Sequence, residues 1–452
     1  MNTMIWDEAL VRKYNTKGPR YTSYPTALLL RSGYGAANAL QALAQSGPEL
    51  SLYLHLPFCR ELCYYCGCNK VISRDQTKAD RYIQALAREI QFYQRVTANK
   101  QVSQLHLGGG TPTFLDQQQL TQLMLLLRQQ FNFAADAVLS IEIDPRSCDV
   151  PKLRLLRELG FSRVSFGVQD FDEKVQLAIH RQQSYQLVET LVLAARQLGF
   201  SSVNLDLVYG LPFQHPDSFT ATLQQVRQLD PDRISLFSYA HLPERFAAQR
   251  KIPSEALPNA QQKLELLALS VKKLGQAGYQ AIGMDHFAKA HDSLAIAQRE
   301  GKLQRNFQGY TTDNCPAMLG LGVSAISQVG NQIWQQQKDL NLYYRQQLEL
   351  GHSIDKGMAL SLDDQIRADL IAELMCNFRL DTEKFAEKWQ LDFASYFSSS
   401  LAQLTRCQQD GLVELTSQQL KVTTLGRPWV RVLAACFDAY LLPQSQQYSQ
   451  VI

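Results

Sequence analysis

Between Leu52 and Tyr239 the chain carries six short apolar runs: "LYLHL", "SQLHLGGG", "VLSIEID", "RVSFGV", "SVNLDLVYG" and "ISLFSY". Runs of this length, rich in Val, Ile, Leu and Phe, predict strands. The stretches between them are long enough for helices. In "KADRYIQALAREIQFYQRV" the apolar residues recur at three and four positions, and "DSFTATLQQVRQLD" opens on an Asp suited to capping. Strand and helix in alternation predict repeated β-α units and a parallel sheet.

Several runs end in polar or glycine residues. A cysteine-rich loop follows the first, Gly108 to Thr111 the second, and Glu142, Gln169 and Asp206 close later ones. In a β/α barrel the C-terminal strand ends carry the chemistry, so these groups would converge on one mouth. An open doubly wound sheet is the competing topology.

Around residue 360 the character changes. "LIAELMCNFRL" and then "LAQLTRCQQDGLVELTSQQLKVTTLGRPWVRVL" predict helices leading into a short hairpin, a pattern that resembles a winged-helix module. That fold serves both DNA binding and packing. Only two basic residues stand in "LVELTSQQLKVTTLGR", which favours packing. The expected division is an arm over residues 1–50 that covers the barrel mouth, a barrel domain with its extension over 51–359, and a C-terminal domain over 360–452. The Gln-rich tract "NQIWQQQKDLNLYYRQQLE" reads as solvated helix or connector. "LGLGVSAIS", Leu319 to Ser327, looks like a dinucleotide fingerprint but lacks a clear preceding strand and a following acidic β-α-β unit.

The 452 residues exceed what one compact core usually organises, and 45% hydrophobic with 19% charged residues is an ordinary globular balance. A net charge of +3, from 45 basic and 42 acidic side chains, gives the whole molecule no general attraction to nucleic acid or membrane. No signal-peptide pattern opens the chain, and no segment approaches the ~20 apolar residues of a membrane span. A cytoplasmic protein is expected.

Five of the nine cysteines, Cys148, Cys315, Cys376, Cys407 and Cys436, are scattered singly and read as small buried apolar residues. An odd total speaks against a disulfide framework. The other four crowd into "PFCRELCYYCGCNK". Cys59, Cys63 and Cys66 can place three thiolates around one metal centre, with Cys68 just beyond. A structural zinc site usually draws a pair from each of two segments, and no second pair exists. A C-x-x-C redox pair, Cys63 with Cys66, needs neither Cys59 nor Cys68. A cubane iron–sulfur cluster held by three thiolates leaves one iron open to a small molecule. Gly108 to Gly110 would allow close backbone approach to such a ligand.

The spacing of Cys59, Cys63 and Cys66, the aromatic Tyr65 before the third cysteine, and "GGGTPT" resemble the radical S-adenosylmethionine (SAM) superfamily. The resemblance implies a partial (β/α)6 TIM-like barrel of that type, joined to the arm and to the mostly helical, winged-helix-like C-terminal domain. It also implies a 4Fe–4S cluster on the three cysteines, with SAM on the open iron.

A tighter resemblance rests on "KYNTKGPRYTSYPTA", "LHLGGGTPTFL", "SIEIDPR", "VSFGVQDF", "NLDLVYGLP", "YAHLPERFAAQRKI", "GMDHFA", "RNFQGYTT", "GVSAIS" and "CNFRLD". From about residue 14 onward the chain is similar to the oxygen-independent coproporphyrinogen III oxidases. What this implies is oxidative decarboxylation of two propionates of coproporphyrinogen III to vinyl groups, giving protoporphyrinogen IX, through a 5'-deoxyadenosyl radical. It further implies two SAM molecules, a low-potential electron donor such as a flavodoxin or ferredoxin system, and a monomer.

Carried across by position, SAM contacts fall on Tyr53, Tyr65, Gly109, Gly110 and Thr111. The same correspondence adds Glu142, Gln169, Arg181 and Asp206, with Ala240 and Ile326 toward adenine. Arg181 would form a two-pronged pair with the methionine carboxylate. Cys68 matches a non-ligating cysteine near the substrate, and with Tyr53 is the candidate for catalysis. Arg20, Tyr21 and Tyr24 of the arm are candidates for holding a substrate that bears four carboxylates. Two positions depart from the family pattern: Leu107 stands where Trp is frequent, and Tyr65 where Phe is common. Two alternatives stand beside this reading. One is the haem-binding chaperone branch, which typically lacks the fourth cysteine and the "GPRYTSYP" arm; the other is an iron–sulfur regulator that binds nucleic acid.

Overall fold

The computed structural model describes residues 8–312 and 314–441. All six apolar runs are strands: β1 (Glu49–Leu56), β2 (Gln101–Gly109), β3 (Asn132–Ile143), β4 (Phe161–Gln169), β5 (Ser202–Tyr209) and β6 (Arg233–Ser238). Each is parallel to its predecessor in sequence, with Leu54 opposite Leu107, Leu107 opposite Ile141 and Asp206 opposite Ser235. A doubly wound sheet reverses its strand order at a switch point. This order never reverses, so the array is of the β/α barrel kind, and it stays open because the far edge of β1 pairs with Ala317–Leu321. Beyond that strand run Ile326–Val329, Gln332–Gln336 and Ile354–Ala359, each antiparallel to the one before.

Alternation within the strands separates two tasks. Leu52, Leu54, Leu56, Leu105, Leu107, Ile141, Phe166, Leu205, Leu207 and Ile234 are wholly buried. The intervening helices bury Ile83, Leu86, Ile90, Leu123, Leu127, Leu156 and Leu191. Each such side chain stabilises the fold by roughly 1.5–3 kcal/mol. The other strand face carries Tyr53, stacked on His106 of the next strand, and His106, Ser140, Glu142, Asn204 and Asp206, which are joined by hydrogen bonds to one another and to Ser165. Leu107, at the position where Trp is frequent, lies on the apolar face.

The helix Thr77–Thr97 forms where the three-and-four periodicity places it. The helix predicted to open on Asp217 begins one residue earlier, at Pro216, and is capped by His215, whose Nδ1 accepts from Ser218 N at 3.4 Å. Asp217 lies in the first turn, where its charge favours the positive end of the helix.

The Gln-rich tract departs from expectation. Gln332–Gln336 is a strand with Ile333 and Trp334 wholly buried, and only Leu340–Glu349 is helical. Two of its glutamines are paired rather than solvated: Gln335 Nε2 donates to Ser324 O at 3.0 Å and Gln336 Nε2 to Tyr93 Oη at 3.2 Å. "LGLGVSAIS" does begin within a strand, but the chain returns antiparallel with no helix between, so no dinucleotide fold forms.

The chain divides into two compact units, and they interleave along the sequence. The larger comprises residues 30–258 and 315–359; the smaller comprises residues through Leu29, Asn259–Asn314 and the chain from Leu360. One division falls at 359/360; residues 30–50 lie in the larger unit and residues 259–314 in the smaller. The reason is packing: Leu10, Val11, Tyr14 and Leu264 share a core with Leu370, Leu374, Leu404 and Trp429. Ile282, Leu294 and Leu303 share another with Cys376. Within the smaller unit, Leu362–Asn377, Thr382–Trp389 and Ser398–Gln409 are helices. The strands Arg379–Asp381, Gln419–Val422 and Val413–Leu415 form a three-stranded sheet in that order, the helices-and-hairpin pattern read from the sequence. No helix of the described residues is long and apolar enough to cross a membrane.

Candidate active site

β1 ends at Leu56, and the cysteine loop begins three residues later, at Cys59. Its two ends are tied together, Val71 N to Pro57 O at 2.8 Å and Ser73 N to Cys59 O at 2.9 Å, so Cys59 to Cys68 form a closed loop. Beside it, Gly110 N donates to Leu56 O at 2.8 Å. A Cβ on Gly110 would stand 2.5 Å from Pro57 O, so only glycine fits this approach.

The thiols have donors of their own. Thr111 Oγ1 donates to Cys59 Sγ at 3.3 Å, and Cys63 Sγ accepts from Arg146 Nη2 and Arg181 Nη1, each at 3.4 Å. Burial pushes the Cys59 thiol up to about 12, against the pull of Thr111. Cys66 and Cys68 are shifted in opposite directions. The S–H of Cys68 bonds to Cys66 and lowers it against burial, Lys70 adding to the effect, while the same contact raises Cys68. Lys70 Nζ also donates to Cys66 O at 2.8 Å.

Arg181, expected to clasp a methionine carboxylate, is buried, and its two terminal nitrogens are paired while its Nε has no hydrogen-bond partner among the described residues. Its Nη1 pairs with Asp144 Oδ2 at 3.1 Å as well as with Cys63, and its Nη2 donates to Gly167 O at 2.6 Å. Arg146 joins Asp144 at 2.7 Å and Glu61 at 3.0 Å. These two guanidiniums hold the Asp144 carboxyl below its ordinary value although burial opposes them.

Across the polar face of the sheet, Tyr53 stacks on His106 with ring centroids 5.9 Å apart and bonds His55 Nδ1 at 3.1 Å. Burial, then the charges of Glu142 and Cys68, raise the Tyr53 phenol. Glu142 contacts His106 Nε2 at 3.3 Å and accepts from Gly109 N at 3.2 Å. Burial would raise this carboxyl, but His106 and the Gly109 amide outweigh it and leave it below the ordinary value. Asp206 accepts from Ser165 at 2.8 Å and Asn204 at 2.7 Å, and burial pushes it up to about 6 with Glu142 adding to the rise. Two carboxylates on one face are thus driven apart, one firmly ionised and one titrating near neutrality.

Gln169 closes β4 in the left-handed region, with φ of 68°. The carbonyls of Tyr65 and Ala240 are gathered by one side chain, Gln249 Nε2, at 3.0 and 3.2 Å. Ile326 opens the strand next to Ala317–Leu321. Arg20, Tyr21 and Tyr24 lie in the smaller unit: Arg20 pairs with Asp285, Tyr21 Oη donates to Asp438 at 3.0 Å, and Tyr24 Oη accepts from Ala439 N at 3.0 Å. These contacts fasten the arm.

Sequence reasoning passed over His55, His106, Asp144, Arg146, Ser165 and Asn204. A signal existed: in "QLHLG", "LSIEI" and "VNLDL" the polar residues fall at every second position, which in a strand is one face.

Comparison with known proteins bears on this geometry. The model of the radical SAM superfamily matches residues 53–226, and that of the HemN C-terminal domain matches 360–429. The oxygen-independent coproporphyrinogen III oxidase of Salmonella typhimurium is 52% identical over 451 residues, 99% of this chain and 98% of the relative. This chain belongs to that family. The Escherichia coli K12 enzyme of the same name is 51% identical over 451 residues, with the same coverage. The solved structure of coproporphyrinogen III oxidase (HemN) from Escherichia coli superposes with a TM-score of 0.94 at 50% identity, covering 97% of this chain and all of that one. The fold is therefore the radical SAM α/β type, with a mostly helical C-terminal region.

Membership implies a 4Fe–4S cluster and SAM, and the residues fit them. Among the described residues no group of three or more His, Cys, Asp or Glu side chains closes on a single ion. A tetrahedral zinc would require that convergence. A cubane does not, because each thiolate binds a different iron and the ligands stand apart by the width of the cluster. Hydroxyl and guanidinium donors on Cys59 and Cys63 are the outer-shell partners that sulfur ligands of a cluster use.

Proposed function

We propose that this chain decarboxylates two propionate side chains of coproporphyrinogen III to vinyl groups, yielding protoporphyrinogen IX without oxygen. The observation that carries the reading is the set of donors aimed at Cys59 and Cys63 from Thr111, Arg146 and Arg181, beside the polar mouth of a six-stranded parallel array. When bound, the cluster and SAM supply a 5'-deoxyadenosyl radical able to take hydrogen from a propionate β-carbon.

Cys59, Cys63 and Cys66 hold the cluster, and Cys68, whose thiol is raised by its contact with Cys66, serves the substrate. Gly109 and Gly110 bring backbone against the methionine end. Glu142, ionised, is suited to an ammonium or ribose hydroxyl, and Asp206, pushed up to about 6 and still mostly ionised at neutral pH, can accept as well. Arg181 acts chiefly by orienting Cys63, with Asp144 neutralising its charge. Tyr53, stacked on His106, offers a phenol that stays protonated. Tyr65, Gln169, Ala240 and Ile326 serve the nucleoside of SAM, and a second SAM molecule belongs to the same reading. Arg20, Tyr21 and Tyr24 as holders of the substrate, an external low-potential donor, a monomer and a cytoplasmic setting complete it.

Relatives of full length and 52% identity bear the oxidase name, so neither the haem chaperone nor the nucleic-acid regulator is favoured. Lys421, on the wing, has its charge paired with Glu414 at 3.0 Å. The test is anaerobic reconstitution, then incubation with reductant, SAM and coproporphyrinogen III. The expected products are 5'-deoxyadenosine and protoporphyrinogen IX; nucleoside without tetrapyrrole product would reject the substrate.

A further inference from the structure

Three cations from three separate segments gather beside the end of the cysteine loop, and nothing above uses them. Asn69, next after Cys68, donates Nδ2 to Lys338 O at 3.0 Å, which pins the Lys338 segment to the loop. Lys356 stands directly opposite Gln335 in the antiparallel pair that leads into that segment. From the other side, the Phe246 ring lies on Gly67, where a Cβ would be 3.0 Å from its Cζ, and the Arg245 guanidinium sits 5.5 Å from that ring's centroid.

Among the described residues none of the three forms an ion pair with a carboxylate. Burial, then the like charges of Lys356 and Arg245, destabilise the Lys338 ammonium, and Asp355 offsets this only in part. Lys338 and Asn69 also border a cavity of about 410 Å³ whose wall carries Lys78 and Arg81. The one carboxylate in that wall, Asp339, is occupied in capping the helix Leu340–Glu349, accepting from Leu342 N at 2.8 Å. Cations with no ion-paired carboxylate of their own and only partial compensation from Asp355 call for an anion from outside.

We propose that Lys338, Lys356 and Arg245 form a carboxylate-binding site that holds a propionate of the tetrapyrrole next to Cys68. The inference rests on the substrate reading above. Each SAM carries a methionine carboxylate too, and titration with SAM tells the two sources apart, while a substrate with four carboxylates needs anchors away from the reacting one.

The test is fluorescence titration of coproporphyrin III into reconstituted full-length enzyme, comparing wild type, Lys338→Arg, and the double variant Lys338→Gln with Lys356→Gln. Loss of charge-assisted hydrogen bonds is expected to weaken coproporphyrin binding about tenfold or more in the double variant. The affinity for SAM should stay unchanged, and the arginine variant should remain within about threefold of wild type. Unchanged coproporphyrin affinity overturns the proposal, as does a loss confined to SAM. A turnover defect seen with a protein donor but absent with dithionite would assign the cations to donor docking and overturn it likewise. Wild-type enzyme that makes no protoporphyrinogen strikes at the reaction assignment alone, because the titration is read without turnover.

Discussion

Replacing Gly110 by alanine would strike the cysteine loop at its root. The added Cβ would lie 2.5 Å from the Pro57 carbonyl oxygen and 2.6 Å from its carbon, short of the 3.4 Å where ordinary contact begins by about 0.9 Å. The obstacle is backbone, so no rotamer change relieves it. Pro57 stands two residues before Cys59, and Val71 is tied to its carbonyl. A shift of the order of 1 Å therefore passes directly to the thiols. Misplacement on that scale costs about a hundredfold in rate where reacting groups must be aligned. The assay is iron and sulfide content after anaerobic reconstitution, followed by 5'-deoxyadenosine formation under dithionite. Gly275→Ala is the control: it sits in the helix Ala260–Gln276 with nothing within 4 Å, and should stabilise by about 1 kcal/mol. A Gly110→Ala enzyme with full cluster content and wild-type SAM cleavage would refute the argument.

Cys66→Ser should abolish cluster binding, while Cys68→Ser should retain it, as judged by iron count and visible absorbance; equal losses would contradict the division of roles between them. Arg146→Gln removes a donor from Cys63 and a partner from Asp144, and cluster affinity or SAM cleavage should fall tenfold or more. Glu89 is wholly buried and raised from 4.5 to about 7 by burial, with Tyr343 Oη at 2.6 Å and Gly322 N at 2.9 Å opposing the rise. Its folded state holds the proton more tightly than the unfolded chain, so its contribution to stability is present below about 4.5 and lost as pH climbs through about 7. Glu89→Gln should accordingly gain thermal stability relative to wild type across that window; a pH-independent difference in melting temperature would count against the reasoning.

The strands and their parallel order were legible because apolar runs and helical spacers alternate so regularly, and the loop of Cys59, Cys63 and Cys66 because three thiols at fixed spacing are rare. What escaped depends on tertiary position. Arg146 and Asp144 look like ordinary surface charges in sequence, and only the fold turns them toward Cys63. Residues 259–314 read as a barrel extension because chain continuity suggests it, whereas Tyr310, donating to Met375 O at 3.0 Å, is held by the C-terminal helix. Gln335 and Gln336 looked solvated because glutamine usually is; here the strand supplies each with a buried partner.

The interleaving of the smaller unit has a consequence for biosynthesis. Leu10, Val11 and Tyr14 emerge from the ribosome early, yet the residues they pack against, Leu404 and Trp429 among them, are made roughly four hundred positions later. At about 5–20 residues per second, the arm stays sticky and unburied for some tens of seconds. Translation that stalls late would leave that apolar surface without its cover, a natural target for holdase chaperones.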